Sequence, residues 1–129
     1  MKIEHAAYNV EDPVAAADWY VKHLGMTLKR AHKDRPWVRF LADDADAVMI
    51  ELYNHPNAAV PDYRNQNPLI LHLAFKVDDL FSTRDRLLAA GATMATDDIM
   101  KTPEGDELMM LRDPWGFPIQ LAKRVTQMI

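Results

Sequence analysis

At 129 residues, with 49% hydrophobic and 26% charged side chains, the chain has the profile of one globular domain able to bury a core without staples. A net charge of −4 with scattered Lys and Arg provides no basic stripe for a phosphate backbone, which disfavours a nucleic-acid partner. The absence of cysteine removes disulfides, thiolate ligands and a cysteine nucleophile, so only histidine and oxygen donors remain for a metal.

The first strand-like segment runs from Ile3 to Val10 and carries His5. Asp12-Pro13 then reads as an N-cap followed by proline at the first helical position. Val14, Ala17, Val21 and Leu24 recur at helical spacing with Tyr20 beside them, Asp18 and Lys22 lie on the polar face, and Gly25 is the stop. Met26 to Ala31, Trp37 to Leu41 and Ala47 to Tyr53 read as strands, the last two separated by the acidic turn around Asp43 and Asp46. The first module, residues 1–53, is βαβββ.

Residues 54–68 are rich in proline and asparagine without periodicity and read as a connection. The pattern restarts in residues 69–122. Leu69 to Val77 is expected as a strand carrying His72, Asp78-Asp79 as a cap, and Leu80, Thr83, Leu87 and Ala90 as one helix face closed by Gly91. Thr93 to Asp98, Glu107 to Arg112 and Phe117 to Ala122 are the remaining strands, and residues 123–129 are left as a tail. The expected class is α+β, with two tandem βαβββ modules in a single domain.

The two halves match in chemistry as well as in pattern. His5 and His72 are separated by 72 − 5 = 67 positions, and Glu51 and Gln120 by 120 − 51 = 69, so a histidine strand and a later carboxylate or amide strand occur twice. Strand alternation places Ile3, His5 and Ala7 on one face and Ile70, His72 and Ala74 on another. A lone strand histidine is ordinarily structural, and Gln120 fits a satisfied core amide as well as a ligand. Glu51 lies in an apolar run, where a carboxylate needs a metal, a cation or a raised pKa, unless it faces solvent. Two imidazoles and a carboxylate suit a divalent ion such as Zn, Ni, Co, Mn or Fe. His23, His32 and His55 read as solvent-facing. Four glycines cannot build a dinucleotide loop or P-loop, and no Gly-x-Ser-x-Gly elbow occurs.

With His5, Asp12-Pro13, Trp19-Tyr20, Leu24-Gly25-Met26, Ile50-Glu51-Leu52, His72-Leu73-Ala74-Phe75-Lys76-Val77-Asp78 and Arg112-Asp113-Pro114-Trp115-Gly116-Phe117-Pro118-Ile119-Gln120-Leu121, the chain resembles the vicinal oxygen chelate superfamily. That superfamily includes glyoxalase I, fosfomycin-resistance transferases, extradiol dioxygenases and bleomycin-binding proteins. The resemblance implies curved sheets around a metal-binding cleft, with His5, Glu51, His72 and Gln120 at the ligand positions. It also implies a homodimer and a small-molecule substrate. Glutamate is common where this chain has Gln120, and glyoxalase I has arginine where this chain has Asn9, which puts glutathione in doubt unless Arg39, Arg64 or another cation substitutes.

In such a site the metal is a Lewis acid toward two adjacent substrate oxygens, and Glu51 is both ligand and candidate catalytic base. Gln120 in place of glutamate leaves one more positive charge at the metal and removes a proton acceptor. The leading expectation is a glyoxalase-like isomerase, lyase or transferase. A non-haem Fe(II) dioxygenase and a non-catalytic drug- or metabolite-binding resistance protein remain as alternatives. Lacking an evident signal peptide and any apolar run near a membrane span, the chain is expected to have no membrane partner and a cytoplasmic location.

Overall fold

The computed structural model describes residues 1–128 and divides into two compact units, Met1–Pro61 and the chain from Asp62 onward. The division falls inside the expected 54–68 connection. Among the described residues there are two helices and nine strands in two mixed sheets, as expected for an α+β chain of repeated modules. No helix among them is long and apolar enough to cross a membrane.

In the first unit β1 (His5–Asn9) is followed by α1 (Pro13–Leu24), β2 (Thr27–Ala31), β3 (Arg39–Ala42) and β4 (Met49–Tyr53). The sheet order is β1-β4-β3-β2, with β1 parallel to β4 and the other pairs antiparallel. The Asp12 side chain accepts from the Val14 and Ala15 N–H groups, and Gly25 closes the helix in the left-handed region. The buried stripe of α1 is Pro13, Ala16, Ala17, Trp19 and Tyr20, while Val14 and Val21 are exposed. This rotates the expected face. Two adjacent alanines let the helix backbone approach the sheet closely, and Tyr20 supplies the bulk that Val14 and Val21 were expected to provide. Beneath the helix lie Tyr8, Leu41, Ile50 and Leu52, all buried.

The second unit repeats the plan. β5 (Leu73–Lys76), α2 (Leu80–Ala89), β6 (Thr93–Met94), β7 (Met100–Lys101), β8 (Glu107–Arg112) and β9 (Pro118–Lys123) give the order β5-β9-β8-β6, with β7 also pairing β8 and β5 parallel to β9. Asp79 caps α2 through the Ser82 N–H, and Leu80 and Leu87 are its buried residues. The expected strand at Thr93–Asp98 is cut to two residues, and β7 is an additional strand.

The strand expected from Leu69 begins only at Leu73. Asn67 explains the difference, because its side chain accepts from the Leu69 N–H and its carbonyl from the Ile70 N–H, a turn that overrides the strand preference of Leu69 to Leu71. The expected tail is partly tied down. Lys123 belongs to β9, and buried Asp106 accepts from the Val125 N–H at 2.8 Å and from Arg124 Nη1 at 2.7 Å. Ile129 lies outside the described residues.

The Val125 N–H and then Arg124 hold Asp106 below the ordinary aspartate range, against a smaller opposing effect of desolvation. A depressed folded pKa gives stability that is complete above the unfolded value of about 3.9 and is lost as pH falls through the folded value. Asp106→Asn is therefore expected to lower stability at pH 7, with the gap from wild type closing below about pH 4. Urea denaturation at stepped pH checks this. A gap that stays constant down to the acid limit would exclude the charge as its origin.

Candidate metal centre

Register places the candidate donors. In the first unit β1 and β4 pair His5 with Met49 and Ala7 with Glu51, so His5 and Glu51 lie on one face and one residue pair apart along the sheet. In the second unit β5 and β9 pair Ala74 with Gln120, and His72 sits two residues before Ala74. Position 7 is to 51 as 74 is to 120. Glu51 and Gln120 thus occupy equivalent register positions in the two units, with His5 inside β1 and His72 one residue before β5. Three or more His, Cys, Asp or Glu side chains do not gather as a metal-binding group among the described residues.

His5 is held on several sides. Its Nδ1–H donates to the Glu4 carboxylate, and Phe40, which pairs with Glu51 in the sheet, meets its ring edge-on with centroids 5.4 Å apart. The other nitrogen, Nε2, lies 3.5 Å from Glu51 Oε2. With the proton on Nδ1, Nε2 carries a lone pair 3.5 Å from a carboxylate oxygen, a gap that a second proton or a metal cation would fill. Two metal–ligand bonds of about 2.0–2.2 Å at a near-tetrahedral angle span about 3.4 Å, so the separation suits a divalent ion. The His5 pKa is raised, first by the hydrogen bond to Glu4 and then by the Glu4 and Glu51 charges, against partial desolvation. The anionic surroundings that favour a proton there favour any other cation.

His72 has the same polarity of arrangement by a different route. Its Nδ1 lies 3.1 Å from the Pro68 carbonyl, which can accept only, so the proton resides on Nδ1 and Nε2 presents the lone pair. Gln120 is buried in the middle of β9, between Ala74 on β5 and Met110 on β8. Its amide oxygen is the chemical counterpart of a Glu51 oxygen without the charge.

Asn9 does not stand in for a cation. Its amide nitrogen donates to the Ala58 carbonyl and its amide oxygen accepts from the His55 N–H, pinning the segment after β4. Arg39 is likewise committed to the carbonyls of His32, Trp37 and Val38, and Arg64 to that of Pro114. His32 and His55 are exposed as expected, whereas His23, expected to face solvent, is half-buried because its ring lies tilted at 44° against Trp19, with centroids 5.4 Å apart. Glu4 and Phe40 had no place in the sequence reading. Adjacency of Glu4 to His5 was its only sequence signal, and alternation argued against it by directing neighbouring side chains to opposite faces.

The model of the Glyoxalase/Bleomycin resistance protein/Dioxygenase superfamily matches residues 2–121. The chain belongs to this superfamily. Within it, the sequence is 28% identical over 125 residues to a "Probable lactoylglutathione lyase" of Vibrio cholerae, covering 93% of this chain and 88% of that protein. The fold is similar to that of TnmS3, an antibiotic binding protein from Streptomyces sp. CB03234, with a TM-score of 0.72, 22% identity and 95% of each chain covered. It is also similar to a glyoxalase I mutant from Zea mays, with a TM-score of 0.74 and 21% identity, over 97% of this chain and 46% of that one. At these identities the two structures share a fold with this superfamily member, and a glyoxalase I and an antibiotic binding protein stand on that one fold.

Proposed function

We propose that the protein is a divalent-metal-dependent enzyme of glyoxalase type, acting on a small substrate with two adjacent oxygens, with His5, Glu51, His72 and Gln120 as ligands in a homodimer. The observation that carries this reading is the shared polarity of the two histidines. Both have Nδ1 beside an oxygen acceptor, which leaves Nε2 as the ligand atom of each, and Glu51 lies 3.5 Å from that of His5. Similarity to a lactoylglutathione lyase supports an isomerase or lyase step.

When bound, a divalent ion supplies Lewis acidity toward the paired substrate oxygens. Glu51 takes the proton from the hydroxyl-bearing carbon next to the substrate carbonyl and returns it to the former carbonyl carbon, while the hydroxyl proton passes to the former carbonyl oxygen, so that an α-hydroxy carbonyl is isomerised with no group gained or lost. Gln120 orients and cannot exchange a proton at neutral pH, so both transfers fall to Glu51. Asn9 is an amide where glyoxalase I has arginine, so a glutathione carboxylate would have to be met by another cation, such as the guanidinium N–H groups of Arg39 or Arg64 that do not bond to backbone carbonyls.

Likeness to TnmS3 supports a second reading, sequestration of a small molecule without turnover. Chelator-stripped protein supplied with Zn, Ni, Co or Mn and hemithioacetals of several thiols separates the two. Turnover that returns with metal is the expected result. Adduct binding without turnover, unchanged in His5→Ala and His72→Ala, would overturn the enzyme reading in favour of sequestration.

A further inference from the structure

The two histidines are oriented by different groups. A backbone carbonyl fixes His72, whereas a carboxylate side chain, Glu4, fixes His5. Glu4 is largely exposed and lies just outside β1, where the sheet alternation that would turn it from His5 no longer holds. Its backbone is nevertheless anchored, because the Met49 N–H donates to the Glu4 carbonyl at 3.0 Å. Glu4 also lines a cleft of about 430 Å³ at this end of the first unit, with Lys2, Lys29 and Met49 among its walls. The Lys29 ammonium is held by Asp46 at 2.8 Å, which leaves the Glu4 carboxylate to the imidazole.

We infer that Glu4 is a positioning residue that fixes His5 as the Nδ1–H tautomer and so presents its Nε2 lone pair, beside Glu51, to a divalent ion. The inference rests on the metal reading above, yet its first consequence precedes any metal. Free neutral imidazole side chains prefer the proton on Nε2, which here would block the ligand atom and place an N–H against Glu51. A carboxylate on Nδ1 reverses that preference and makes Nε2 the more basic donor. Phe40 limits the ring plane but has no polar atom with which to choose between the nitrogens.

The test uses Glu4→Leu and Glu4→Gln in the full chain, with two readouts. Ring ¹⁵N shifts of His5 in metal-free protein, at alkaline pH where the ring is neutral, are expected to show Nδ1–H in wild type. The same form is expected in Glu4→Gln, whose amide oxygen still accepts, and Nε2–H in Glu4→Leu. Zn affinity measured against a competing chelator is expected to fall about 10- to 100-fold in Glu4→Leu and to be largely recovered in Glu4→Gln. An unchanged tautomer in Glu4→Leu would overturn the inference. If wild type binds no metal, the proposed function fails and the tautomer readout alone decides the role of Glu4.

Discussion

Glu51→Gln is expected to abolish turnover while leaving the fold intact. Glu51 is half-buried at the centre of the first sheet, paired with Ala7 on one side and Phe40 on the other, and glutamine fills nearly the same volume there. What changes is charge and basicity. The position facing His5 Nε2 would lose its anion, and the donor set would contain two amides and no proton acceptor. Loss of a general base costs about 10²- to 10⁴-fold, and loss of the anionic ligand weakens metal binding as well. We therefore expect kcat/KM to fall at least about 10³-fold, with an unchanged circular dichroism spectrum and urea midpoint. Activity within tenfold of wild type would remove Glu51 from the proton-transfer role.

The second large effect is on stability. Gly116 has a φ of +94°, and a Cβ built there would lie 2.8 Å from Arg64 Cβ and 2.9 Å from Arg64 Cα. Relief requires backbone movement, because the contact is with the main chain of a segment that is itself fastened. Arg112 Nη1 donates to the carbonyls of Tyr63 and Gly116 and Nη2 to that of Gln66, while Asp113 accepts from the Trp115 and Phe117 N–H groups. Left-handed strain and overpacking cost about 1–3 kcal/mol each, so Gly116→Ala is expected to lower unfolding free energy by about 2–6 kcal/mol. Gly25→Ala isolates the conformational part, since Gly25 has a φ of +72° and nothing within 4 Å of its Cβ position. It should cost only about 1 kcal/mol. Equal losses in the two variants, read by urea denaturation, would show that the Arg64 contact carries no weight.

The repeat was legible in the sequence because capping and alternation are local. Asp12-Pro13, Asp79 and the strand-like runs through Glu51 and Gln120 place the two helices and the central strands β4 and β9 near their observed positions. The shared face of His5 and Glu51 followed, since both lie on the parallel neighbours β1 and β4 at even spacing in the register. What the sequence did not disclose depends on tertiary contact. Val14 and Val21 outrank Ala16 and Ala17 in hydrophobicity, yet the closeness of helix to sheet selected the alanines. Leu69 to Leu71 carry strand propensity, yet Asn67 spent their first amides on a turn. Glu4 was hidden by the alternation rule, which ceases to apply at the end of a strand.

The two histidines differ in their surroundings: the Glu4 and Glu51 carboxylates lie beside His5, whereas the partner of His72 is the neutral Pro68 carbonyl.

Metal content of protein purified without chelator, compared with His5→Ala and His72→Ala, tests the central claim most directly. One divalent ion per subunit in wild type, lost from each variant while both stay folded, is the expected result. A metal-free wild type that takes up no added Zn, Ni, Co, Mn or Fe, or full occupancy in both variants, would contradict it.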